Sequence, residues 1–224
     1  MTDHTAPSTP SHDSEASERL VNIPPVTLFL MAVLTAVHLI RLFYLTPAQD
    51  NFWVSLLGFV PAYFHQSATT EFLPWANLLS YALLHFGWAH FVMNIAGLAA
   101  FGSAVEQSIG AVRYAAVLLF GIIAGALVHF MFFYDSAVLL GGISAGLSAL
   151  FAVILGLLQQ HRVLKRGWRG LALPVTVWIV VNTVLGFIGI PGQPDQTIGW
   201  IAHLGGFIAG LACLPVLFPH MRKG

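Results

Sequence analysis

The sequence predicts an all-α polytopic membrane protein, and three observations carry that prediction. Of the 224 residues, 57 % are hydrophobic and only 8 % are charged, with a mean hydropathy of +0.80; soluble domains carry roughly 25 % charged residues. Six stretches are apolar enough to cross a bilayer, which takes ~20 residues each. The basic residues fall almost entirely on one side of the bundle that those stretches would form. Only nine Lys and Arg are present, against nine Asp and Glu, too few basic residues for a nucleic-acid role to be expected. The single cysteine, Cys213, excludes an intrachain disulfide and a Cys-based zinc or iron–sulfur centre.

Residues 1–24 are polar and rich in Ser, Thr and Pro, the composition of a disordered tail. Four acids surround a lone Arg19 and no apolar core follows a basic start, so neither a secretory signal nor a mitochondrial presequence is indicated. The membrane domain is expected over 25–219, with spans at Pro25–Tyr44, Ala76–Glu106, Tyr114–Phe133, Gly142–Gln160, Leu171–Ile190 and Ile198–Phe218. The second is overlong, so part of it is expected to be connection. Residues 220–224 form a short tail.

With a cytoplasmic N-terminus, the inside segments hold Arg19, Arg113, Arg162, Lys165, Arg166, Arg169, Arg222 and Lys223, leaving only Arg41 to snorkel outward. Asp50, Glu71, Asp135 and Asp195 fall outside. Both termini are therefore expected in the cytoplasm, and the expected location is a cell membrane, the bacterial inner membrane. The outer connection Leu45–Trp75 carries Phe52, Trp53, Phe59, Tyr63 and Phe64, which suits the membrane interface better than water.

Polar groups inside a bilayer are costly and each calls for a reason. The candidates are His38, His85, His90, Asn94, His129, Ser144, Ser148, Asn182 and His203. His90 lies 16 residues from Glu106, Ser144 lies 16 from Gln160, and His203 lies 16 from Pro219. At ~1.5 Å per residue each sits ~24 Å up from the inner face of a ~30 Å core, so the three share a layer below the outer surface.

A serine and a histidine at one depth suggest a nucleophile and its base. The Gly142-Ile143-Ser144-Ala145-Gly146 segment suits a serine at a helix start, where backbone N–H groups are available to an oxyanion; small residues at this spacing equally serve plain helix packing. Gly206 and Gly210 present a small face beyond His203, expected to meet Gly142 and Gly146. Taken alone, His203 reads equally as a packing residue or a haem ligand. His90 and Asn94 share a helix face and suit oxyanion stabilisation or an interhelical clamp. No Asp or Glu lies between Gln107 and Tyr134 or between Ser136 and Pro194, and no Lys lies in any span. A nucleophilic Ser144 would therefore work in a Ser–His dyad.

HFGWAHFVMN from His85, AVEQSIG from Ala104, GGISAG from Gly141 and AHLGGFIAG from Ala202 resemble the rhomboid family of intramembrane serine proteases, over all six spans. The resemblance implies a six-helix rhomboid-like bundle, with Ser144 as nucleophile and His203 as general base. His90, Asn94 and the Ser144 N–H would form the oxyanion hole, and Glu106 a polar cap at the cytoplasmic end of the second span. It implies hydrolysis of peptide bonds in single-span membrane proteins within the lipid bilayer, without a cofactor or metal. It also makes the fifth span a candidate gate, with Trp178, Phe187 and the IPGQPDQ segment. The chain departs from the family pattern in three places. Ala145 stands where many members have Gly, and Ser148 where many have an aromatic against the base, so the imidazole needs other support. The Trp-Arg pair of the first outer loop is absent. Two other readings compete: an inactive relative that binds transmembrane segments, and a bis-histidine haem protein using two of His38, His85, His129 and His203.

Overall fold

The computed structural model describes residues 22–67, 73–165, 167–188 and 199–219. The expected N-terminal tail to residue 21, the C-terminal residues 220–224 and the IPGQPDQ segment lie outside them, as does the side chain of Phe187. The described residues form a helical bundle: α1 (Pro25–Phe43), α2 (Pro47–Leu57), α3 (Pro61–Ser67), α4 (Leu73–Ser80), α5 (Gly87–Gly97), α6 (Ser103–Ile109), α7 (Ala111–Phe132), α8 (Ser144–Gln160), α9 (Trp168–Ile188) and α10 (Trp200–Leu217). Helices α5 and α6 join through a π turn, Leu98–Gly102, into one 23-residue span, Gly87–Ile109. With α1, α7 and α10 it is long and apolar enough to cross a membrane, and α8 and α9 contribute two shorter apolar helices.

The expected spans are displaced by a few residues at most ends, but the second is corrected. Its first eleven positions are not part of the crossing helix. They close α4, make a 3-10 turn at Tyr81–Leu83 and run extended through Leu84. The Tyr81 hydroxyl donates to the Ile122 carbonyl at 2.7 Å, which ties this connection to α7.

Burial sorts the helices. Eleven of the seventeen residues of α8 are buried, against three of nineteen in α1, so α8 is the central helix and α1 a peripheral one. Close approach around α8 rests on small residues. A Cβ on Gly206 would overlap the Ala145 carbonyl, and one on Gly210 the Ala149 carbonyl. From the other side, Cβ positions on Gly125 and Gly121 of α7 fall 2.5 Å from the Ala145 and Ala149 methyls. Ala145 and Ala149 thus run between two glycine stripes. This corrects the expected pairing of Gly206 and Gly210 with Gly142 and Gly146: Gly146 faces Leu118 and Ile122 of α7, and Gly142 faces His90. The alanine at 145, a departure from the family pattern, is the residue that fills the gap between the glycines.

Two polar devices fix the periphery. Pro24 offers α1 no side-chain cap. Glu106 supplies one from α6, accepting from the N–H groups of Val26 and Thr27 at 3.0 and 2.7 Å and from the Thr27 hydroxyl at 2.8 Å. A carboxylate at a helix N-terminus satisfies orphan donors and complements the helix dipole. Arg41 does not simply reach outward. Its Nε and Nη2 meet both oxygens of Asp50 at 2.7 and 3.2 Å, and its Nη1 donates to the His85 carbonyl at 3.0 Å. Helix α2 begins with a Thr46–Gln49 capping box and is held to α1 by that ion pair; its Phe52 and Trp53 are exposed.

Candidate active site

The segment before α8 is held by backbone pairing. Leu140 and Phe59 exchange N–H···O bonds at 2.8 and 3.3 Å, and the Gly142 N–H donates to the Tyr81 carbonyl at 3.0 Å. Gly142 itself has φ +109°, a conformation open to glycine and strained for other residues. That turn allows α8 to begin at Ser144, with the first N–H groups of the helix lacking intrahelical acceptors.

Ser144 faces α10. Its Oγ is 2.7 Å from Nε2 of His203, and Nδ1 of the same imidazole is 2.7 Å from Oδ1 of Asn182 on α9. The Asn182 amide nitrogen donates to the Trp178 carbonyl at 2.8 Å, so its oxygen is the atom left for the imidazole. An amide oxygen only accepts, which places the proton on His203 Nδ1 and the lone pair on Nε2, facing the serine hydroxyl. The chain Ser144–His203–Asn182 is thereby polarised in one direction.

His90 stands on the other side of the serine turn. Its Nε2 lies 2.7 Å from where a Cβ on Gly142 would sit, and its Nδ1 accepts from the Phe86 N–H over a long 3.4 Å. In that tautomer Nε2 carries a proton directed at the turn. The Asn94 amide donates to the His90 carbonyl at 2.8 Å, which uses one of its two protons, and its buried Oδ1 has no hydrogen-bond partner among the described residues. The Ser148 hydroxyl donates to the Ser144 carbonyl at 2.9 Å. These groups open onto a cavity of about 510 Å³ walled by Phe86, Phe151, Trp178 and Trp200 among others. A serine hydroxyl, an imidazole with its lone pair aimed at it, and N–H donors around one wall form an arrangement that acyl transfer could use.

The depth count brings His90, Ser144 and His203 into one site. Asn182 is among the polar candidates of the spans, but no spacing in the sequence assigns it to His203; only the fold brings the two within 2.7 Å. His38, His85 and His129 take no part in this hydrogen-bonded chain, although the His85 ring packs on His90 with centroids 5.2 Å apart and His129 lines the same cavity. They are buried, their ring nitrogens have no hydrogen-bond partner among the described residues, and His38 stacks on Phe91 with centroids 4.3 Å apart.

A family model, the Rhomboid domain, matches residues 73–220, two thirds of the chain. No curated protein matches it. The chain belongs to the rhomboid family, whose members are intramembrane serine proteases and their inactive relatives, and it is an integral membrane protein of that helical fold.

Proposed function

We propose that the chain is an active intramembrane serine endopeptidase that cuts single-span membrane proteins in or near their transmembrane segments. The observation that carries this is the 2.7 Å contact between Ser144 Oγ and His203 Nε2, in the tautomer that accepts the serine proton. Ser144 Oγ attacks the scissile carbonyl carbon while its proton passes to His203 Nε2. The carbonyl electrons collect on an oxyanion, for which the Ser144 N–H, His90 Nε2–H and the second Asn94 amide proton are the donors. His203 then gives its proton to the leaving nitrogen, the C–N bond breaks, and an ester remains on Ser144. Water, deprotonated by His203, hydrolyses the ester and restores both residues. The orientation read from the basic residues puts both termini in the cytoplasm and the site toward the outer face.

No observation favours the inactive relative, whose site would need neither group. The haem reading loses His203, both of whose ring nitrogens are engaged.

The depth of the serine makes the reading testable. An intact helix hides its carbonyls in i→i−4 hydrogen bonds, and opening them in lipid costs several kcal/mol per unpaired group. A model substrate whose outer end carries Gly, Pro and small polar residues should be cut there, and a poly-Leu counterpart should resist, with mass spectrometry locating the site. Equal cleavage of both, or a cut near the cytoplasmic end, would contradict the reading.

A further inference from the structure

We infer that Asn182 is a positioning residue for the base: it holds His203 in the one tautomer and ring orientation that can take the serine proton. This rests on the dyad reading above and adds to it a third residue, delivered by a different helix.

The contact is part of a register. Trp178, Asn182 and Gly186 recur every four residues on α9, so they share one face. Their partners on α10 are Phe207, His203 and Trp200. Trp178 stacks on Phe207 with centroids 4.4 Å apart, Asn182 bonds His203 at 2.7 Å, and a Cβ on Gly186 would fall 2.5 Å from the Trp200 ring. The asparagine is therefore set between two aromatic layers, one helical turn away on each side, and its amide nitrogen is already spent on Trp178. Turning the imidazole to its other tautomer would set a ring lone pair against the Asn182 oxygen and an N–H against the serine oxygen. Both changes disfavour proton transfer from serine. This supplies the support that Ser148, engaged with the Ser144 carbonyl, does not give.

The acceptor is neutral, which makes the role separable from packing. Besides His203, the titratable groups lining the cavity are Tyr81, His90 and His129, and among the described residues no carboxylate, Lys or Arg lines it. The carboxylate introduced by Asn182→Asp would face an imidazole that has no other charged neighbour there. It would favour the imidazolium, and since the base acts only when neutral, the acid limb of the rate profile would move to higher pH.

The experiment measures the second-order rate of fluorophosphonate labelling against pH for the full chain in proteoliposomes. Wild type is compared with Asn182→Leu, which keeps the volume and removes the acceptor, and Asn182→Asp, which keeps the acceptor and adds charge. The expected result is a loss of at least about tenfold for Asn182→Leu, the rate equivalent of one hydrogen bond. Asn182→Asp, which sets a carboxylate oxygen in place of the amide donor to the Trp178 carbonyl, should show its acid limb displaced upward, whatever its plateau rate. Wild-type labelling by Asn182→Leu, or an unmoved acid limb in Asn182→Asp, would overturn the inference. If Asn182→Leu fails to fold, the limb of Asn182→Asp decides alone. Absence of labelling at Ser144 in wild type would instead remove the dyad reading itself, so the two failures are distinguishable.

Discussion

His203 is approached from two sides that are built differently. On the α8 side, backbone meets backbone: Gly206 and Gly210 lie against the carbonyls of Ala145 and Ala149, with the α7 glycines behind them. On the α9 side the contacts run through side chains, among them a ring stack, a hydrogen bond and a glycine under a tryptophan. The outward face of α9 is open, with Leu173 74 % exposed, whereas α8 is enclosed. A helix packed through small residues has nowhere to retreat when a methyl is added, because no rotamer change relieves a backbone clash. A helix held by side chains can give way. Ser144 thus sits on the rigid side and the contact that orients His203 on the yielding one.

The comparison can be broken at its centre and then graded outward. Ser144→Ala should abolish proteolysis with folding intact, because alanine fits wherever serine fits; residual cleavage within about tenfold of wild type, a barrier change of only ~1.4 kcal/mol, would sink the nucleophile. Gly206→Ala is expected to lower fluorophosphonate labelling by at least about a hundredfold without touching a catalytic atom, since base and nucleophile must stay within ~2.6–3.2 Å. His90→Ala should cost ~10²–10³ in rate, the usual loss of one oxyanion donor; an unchanged rate would make it a packing group. The same methyl at Gly186 tests the yielding side. Gly186→Ala should reduce labelling by less than about tenfold, because α9 shifts where α10 cannot. If Gly186→Ala proved as damaging as Gly206→Ala, the distinction between the sides would fall. Far from the site, Glu106→Gln should lower thermal stability by about 2 kcal/mol through weaker capping of α1, while the folded fraction labels at the wild-type rate.

Legibility in the sequence follows the same division. Helix existence and polar depth are written in local composition, so six apolar stretches and a common layer for His90, Ser144 and His203 can be read directly. Which face of a helix meets which neighbour is set by rotation about its axis, and spacing alone does not give that rotation. Spacing therefore matches Gly206 and Gly210 to Gly142 and Gly146, when the residues they meet are Ala145 and Ala149. Alanine in a leucine-rich span carries no signal that it is the small residue under a glycine. Arg41 illustrates a different gap: its partner Asp50 lies beyond a helix turn in sequence, and only the fold brings α2 back over α1. Asn182 is visible as a polar residue in a span, but the rotation of α9 that turns it toward His203 is set by the fold.

The central claim is that Ser144 is made nucleophilic by His203. Its most direct test is fluorophosphonate labelling of the full chain in native-like membranes, followed by peptide mapping, in wild type and in His203→Ala. The account predicts modification at Ser144 in wild type and its loss by roughly several hundredfold or more in the variant, because a neutral serine without a base is a weak nucleophile. Labelling at Ser144 that proceeds equally well without His203, or no labelling of a correctly folded wild-type chain, would contradict it.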